Sequence, residues 1–111
     1  MIMLRLTMNV LPEKQKEVMQ TLLSITELTE KDNGCLSCNL FCDMEDKNVY
    51  TLIEEWETRE DLERHIRSER FSVLLGTKSL LAEPLGIQLH TVSRSEGMEV
   101  VNAARGSKGT S

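Results

Sequence analysis

Aromatic side chains are scarce in this chain. Phe41, Tyr50, Trp56 and Phe71 are the whole supply among 111 residues, too few for a platform on which nucleic-acid bases stack. Positive charge is short as well. With 13 Lys and Arg against 18 Asp and Glu, the formal net charge is -5, which offers a phosphate backbone no electrostatic footprint. No apolar run approaches the ~20 residues that span a bilayer, and the first residues lack the basic, apolar and small-residue blocks of a signal peptide. The two histidines, His65 and His90, lack a carboxylate at ligand spacing, so no metal site is expected. There is no glycine-rich phosphate loop, no dinucleotide fingerprint and no Ser-His-Asp set. Three cysteines, an odd number, suit a reducing cytoplasm better than a secreted disulfide framework. The expectation is an acidic cytoplasmic protein of one small domain.

What is present is clear periodicity. Ile2, Leu4, Leu6, Met8 and Val10 alternate with Met3, Arg5, Thr7 and Asn9, the pattern of a half-buried strand. Pro12 suits the first turn of a helix, and Val18, Met19, Leu22, Ile25 and Leu28 recur at helical spacing up to about Lys31. The "KDNG" that follows ends it. Residues 35–43 and "VYTLIEEW" (49–56) read as a hairpin around the polar turn "MEDKN". "TRED" places Thr58 as the N-cap of a short helix through Leu62, His65 and Ile66, and Ser68 caps a second one through Phe71, Leu74 and Leu75. Gly76 breaks that run, "KSLLAEP" adds a last turn, and "LGIQLHTVSR" (85–94) is the fourth strand. The Gly- and Ser-containing segment 97–111 is expected to be a flexible tail after a domain of residues 1–96. The order β-α-β-β-α-β gives an α+β, ferredoxin-like four-stranded antiparallel sheet with spatial order 4-1-3-2.

Cys35, Cys38 and Cys42 fall within eight positions and raise the question of a metal or redox site. On a strand, residues three apart project to opposite faces, so Cys35 and Cys38 are expected on different sides. Cys38 and Cys42 share a face, but their backbones lie roughly 13 Å apart, beyond disulfide reach. Structural thiols are expected, with Cys38 in the core beside Leu36 and Leu40.

Two helices cover one face of such a sheet. The apolar side of the first strand belongs under them, leaving Met3, Arg5, Thr7 and Asn9 on the bare face. On the third strand the β-branched set Val49, Thr51, Ile53 reads as helix-facing, and Tyr50, Leu52, Glu54, Trp56 as the lining of a cavity. Arg5 and Glu54 would then share a face and pair. A bare, half-apolar face marks an interaction surface, which a second copy would bury.

The stretch "NGCLSCNLFCDMEDKNVYTLIEEWETREDLERHIRSERFSVLL" resembles the antibiotic biosynthesis monooxygenase domain, one of the dimeric α+β barrels. The carrying features are Gly34-Cys35-Leu36 opening the second strand, Glu54-x-Trp56 closing the third, and His65, Ser68 and Phe71 in "TREDLERHIRSERF". The resemblance covers about residues 1–94 and implies a homodimer. It also implies an oxygenase that needs no cofactor and oxidises a small electron-rich aromatic such as a quinol or polyphenol. By that resemblance Trp56 lines the substrate cavity, where its indole would give a flat wall and an N–H donor; the alternative is a tryptophan of the dimer core. The haem-degrading relatives use an asparagine, a tryptophan and a histidine. Here His65 stands at the helix tryptophan's position and the iron-binding histidine falls near Leu75, a departure that argues against haem.

His65 would take a proton from a hydroquinone, leaving the ring rich enough in electrons to reduce dioxygen; otherwise it is a helix-edge residue bonded to backbone. Asn9 and Arg5 would orient a carbonyl or hold a phenolate. Tyr50, Leu52, Glu54, Leu62 and Phe71 complete the expected substrate wall. The competing expectation is a homodimer without catalysis that binds a small ligand or serves as a structural module.

Overall fold

The computed structural model of the protein describes residues 1–106. Strand β1 (Ile2–Asn9) is followed by a single 3-10 turn at Pro12–Lys14 and helix α1 (Gln15–Thr29). Strands β2 (Cys35–Cys42) and β3 (Val49–Trp56) form the hairpin. Helices α2 (Arg59–Ile66) and α3 (Glu69–Gly76), a 3-10 turn at Thr77–Leu80, strand β4 (Gly86–Thr91) and helix α4 (Met98–Arg105) complete the chain. The four strands are hydrogen-bonded in the order β2-β3-β1-β4, all antiparallel. This is the expected ferredoxin-like α+β sheet, and it is open.

Local chemistry accounts for the helix boundaries. Pro12 closes off hydrogen bonding at the N-terminal turn. Thr58 Oγ1 accepts from the Asp61 amide at 3.1 Å, and Ser68 Oγ from the Phe71 amide at 3.2 Å, so both expected caps are in place. Gly34 has φ of +84°, a backbone state that L side chains avoid, and it turns the chain from α1 into β2.

The core lies between the sheet and helices α1–α3. Ile2, Leu4, Leu6 and Met8 are buried, as their alternation predicts. They are joined by Val18, Leu22 and Ile25 of α1, and by Leu62, Phe71 and Leu74 of α2 and α3. Each such side chain, fully removed from water, contributes roughly 1.5–3 kcal/mol before ordering costs. The buried stripe of α1 is Val18, Leu22, Ile25 and Thr29; Met19 and Leu28 are exposed, because a 3.6-residue period places them beside the stripe.

Several expectations are corrected by the sheet register. Trp56, Glu54, Leu52 and Tyr50 pair with Ile2, Leu4, Leu6 and Met8, and all four are buried. The helix-covered face of β3 is therefore this set, and Val49, Thr51, Ile53 and Glu55 lie on the bare face. Arg5 pairs with Ile53, so it projects away from Glu54 and the expected ion pair does not form. A β-bulge shifts β2 between Cys35 and Ser37: Cys35 pairs with Trp56, Ser37 with Glu55 and Cys38 with Glu54. The extra residue is Leu36, which is 53% exposed rather than in the core. Because the bulge absorbs one position, Cys35 and Cys38 lie on the same face. Cys38 is buried and Leu40 packs on the core as expected. All three thiols are free. Within the expected tail, Met98–Arg105 is helical with every residue exposed; residues 107–111 of that expectation lie outside the described ones.

Candidate active site

Three elements meet at one end of the sheet. Trp56 ends β3, His65 lies in the last turn of α2, and Phe71 lies in the first turn of α3. The Trp56 and His65 rings stack, with centroids 4.8 Å apart and planes at 30°. Phe71 meets His65 edge-on at 5.3 Å. Trp56 is 1% exposed and His65 3%.

Glu54 is wholly buried beneath this stack. Its Oε1 accepts the Trp56 indole N–H at 3.0 Å and lies 3.1 Å from His65 Nε2. The histidine contact is close but off the ring's N–H direction, so neither ring nitrogen of His65 has a hydrogen-bond partner, and Glu54 Oε2 has none either. Buried polar atoms without partners are rare and costly. Here three polar side chains, Glu54, Trp56 and His65, are drawn together where a purely structural core would place hydrocarbon.

Above the stack is a cavity of about 220 Å³ with Trp56 and His65 at its base and Asp32, Asn33, Asp61, Arg64, Ser68 and Arg70 around it. Arg70 Nη1 donates to Asp32 Oδ2 at 2.7 Å, and Arg64 Nη1 to Asp61 Oδ1 at 3.0 Å. Asp32 Oδ2 also lies 3.7 Å from His65 Nδ1, too far for a direct hydrogen bond. The Thr58 hydroxyl, donating to Asp61 Oδ2 at 2.8 Å, together with the Arg64 guanidinium, holds the Asp61 carboxyl below the usual aspartate range. Gly34 makes room for one residue of this wall: a Cβ there would overlap the Asp61 side chain.

Cys35 and Cys38 border the same region without being activated. Burial, reinforced by the Glu54 carboxylate, pushes Cys35 up to about 11 and Cys38 up to about 12, the opposite of what a reactive thiolate requires. Among the described residues no group of three or more His, Cys, Asp or Glu is arranged to hold a metal ion.

Of the residues singled out from sequence, the structure gathers Trp56, Glu54, His65 and Phe71, with Leu62 buried behind them on α2. Others lie elsewhere. Asn9 pairs with Val49, seven residues from Trp56 along β3, roughly 24 Å at ~3.4 Å per residue. Its amide donates to Glu83 at 3.4 Å. Tyr50 is buried at the same far end and Leu52 in mid-strand; burial pushes the Tyr50 phenol up. Arg5 is on the opposite face. Sequence reasoning missed Asp32 and Arg70, which stand 38 positions apart and carry no local signature beyond a polar turn and a capped helix.

The family model for antibiotic biosynthesis monooxygenases matches residues 1–74, well over half of the 111 residues. The chain belongs to the antibiotic biosynthesis monooxygenase family. A conserved protein of Methanosarcina mazei is 29% identical, with a TM-score of 0.75 over 80% of this chain and 89% of that one. A candidate antibiotic biosynthesis monooxygenase from Deinococcus radiodurans superposes with a TM-score of 0.81 over 87% of this chain and 97% of its own, at 18% identity; that likeness speaks for the fold. An uncharacterized protein of Synechocystis is 23% identical over 86 residues, 77% of this chain. The chain spans 58% of the length of that curated relative. Among the described residues no helix is long and apolar enough to cross a membrane.

Proposed function

We propose that this protein is an oxygenase that oxidises a small electron-rich aromatic, a quinol or polyphenol, in the cavity above Trp56 and His65 without flavin or metal. The observation that carries the reading is the buried imidazole of His65, set between two carboxylates with its Nδ1 unpartnered at the cavity base. A carboxylate beside Nε2 favours the tautomer with the proton on that nitrogen, leaving the Nδ1 lone pair free. A substrate hydroxyl about 2.8 Å from Nδ1 would donate its one proton there. His65 then takes the phenolic proton, Glu54 offsets the imidazolium charge, and Trp56 lies against the ring.

The electrons come from the substrate. The phenolate passes one electron to dioxygen, the radical pair joins at a ring carbon, and the O–O bond breaks as that carbon's C–H electron pair becomes the new C=O; the ring proton and the proton held by His65 both go to the leaving oxygen, which departs as water. For benzene-1,4-diol the balance is hydroquinone plus dioxygen giving hydroxybenzoquinone plus water. Oxygen-electrode measurements on flavin-free, chelator-treated protein test this: one dioxygen is consumed per hydroquinone with hydroxyquinone appearing. Consumption no faster than buffer autoxidation refutes it.

Proteins of this family are commonly dimeric, and the reading includes a homodimer. The bare sheet face carries Phe41, Val49, Ile53 and Met3 together with Arg5 and Thr7, an apolar centre with a polar margin that a second copy would cover. Arg5 and Asn9 belong to that surface in this reading, away from the chemistry. A binding module without turnover is the second reading. The near-complete burial of Trp56 and His65 favours it, since little of either ring is open to a reacting molecule.

A further inference from the structure

The cavity's charges are already spent on one another. Arg70 is engaged by Asp32 at 2.7 Å and Arg64 by Asp61 at 3.0 Å, with Glu60 a further 3.9 Å partner of Arg64. Two cations and two anions face the space and cancel, and Glu54 lies beneath the base as an additional acid. Each guanidinium there already carries a carboxylate partner, which weakens its pull on a further anion. What the site does offer a hydroxyl donor is the second lone pairs of the Asp32 and Asp61 carboxylates. These groups accept from hydroxyl donors and repel carboxylates and phosphates.

We propose that the cavity selects uncharged, hydroxyl-bearing ligands over anionic ones, and that Asp32 is the residue that sets this preference by occupying Arg70. The inference rests on the cavity being the ligand site and narrows the substrate to neutral hydroxyarenes. Without Asp32, Arg70 would present a free, planar fork suited to a carboxylate.

Calorimetric titration under argon with 2,5-dihydroxybenzamide and 2,5-dihydroxybenzoate isolates charge, because the two differ little in shape. The amide is expected to bind at least tenfold tighter, about 1.4 kcal/mol. In Asp32→Asn the acid gains at least tenfold relative to the amide. In Arg70→Gln, which leaves Asp32 uncompensated, discrimination against the acid grows. Equal or tighter binding of the acid by the unaltered protein overturns the proposal, as does a preference that neither substitution moves. Binding of neither compound at millimolar concentration overturns the ligand site itself. Amide binding with no oxygen uptake upholds the charge preference and refutes the oxygenase reading alone.

Discussion

One substitution at two glycines gives opposite results if the geometry around the cavity is right. Gly34 sits at φ +84° and its missing Cβ leaves room for Asp61. Gly34→Ala forces an L residue into a left-handed state, at about 1–2 kcal/mol, and pushes the Asp61 side chain off its Thr58 and Arg64 partners, adding to that cost. Gly76 ends α3 in ordinary helical backbone with nothing near its Cβ direction. Gly76→Ala restricts only the unfolded chain and stabilises by about 0.4–1 kcal/mol. In a domain of this size 1 kcal/mol moves the midpoint by roughly 4–8 °C. Thermal unfolding followed by far-UV circular dichroism should show Gly34→Ala melting at least 5 °C below the parent and Gly76→Ala at or above it. A Gly34→Ala protein within 2 °C of the parent would mean that Asp61 does not occupy that space, and the cavity wall would have to be redrawn.

Leu6 is fully buried in the middle of β1, and Leu6→Ala should cost about 2–5 kcal/mol in urea unfolding through the cavity it leaves. Thr58→Ala removes the α2 cap, lowering stability by about 0.5–2 kcal/mol. With the depressed Asp61 carboxyl, the capping contribution is present above the usual aspartate range and lost as pH falls through the folded value; an acid-side loss in the parent no larger than in Thr58→Ala contradicts this. Cysteine alkylation of folded protein at pH 8 should label exposed Cys42 first, Cys35 slowly, and Cys38 only on unfolding. Cys35 and Cys38 hold their protons more tightly folded than unfolded, from about 9 to about 11 and about 12. Their contribution is therefore complete below pH 9 and declines as pH climbs towards 12, visible as a falling urea midpoint.

Much of the fold was legible because β1 has a strict two-residue period and the caps Thr58 and Ser68 sit where their helices begin. The face of β3 was not. Tyr50, Leu52, Glu54 and Trp56 alternate with a β-branched set, each carrying one acid, so pattern alone leaves the two sides nearly equal. What decides it is tertiary: Glu54 is tolerated in the core because Trp56 donates to it and His65 stands beside it. The bulge at Leu36 had no local signal, and it reversed the expected side of Cys35 relative to Cys38. Trp56 and His65 were recognisable as candidates from their family pattern, whereas Asp32 and Arg70 become neighbours only when α3 folds against the end of α1. The helix at Met98–Arg105 was hidden by the glycine and serine on either side of a short run of good helix formers.

The central claim is that the buried His65, beside Glu54, is the proton acceptor of an oxidation. Oxygen uptake with a neutral hydroquinone, compared between the parent and His65→Asn, tests it most directly, with circular dichroism and sedimentation confirming that fold and assembly are unchanged. The account predicts uptake by the parent and a loss of at least a hundredfold in the variant, within the range general-base catalysis supplies. Equal rates for the two proteins would contradict it.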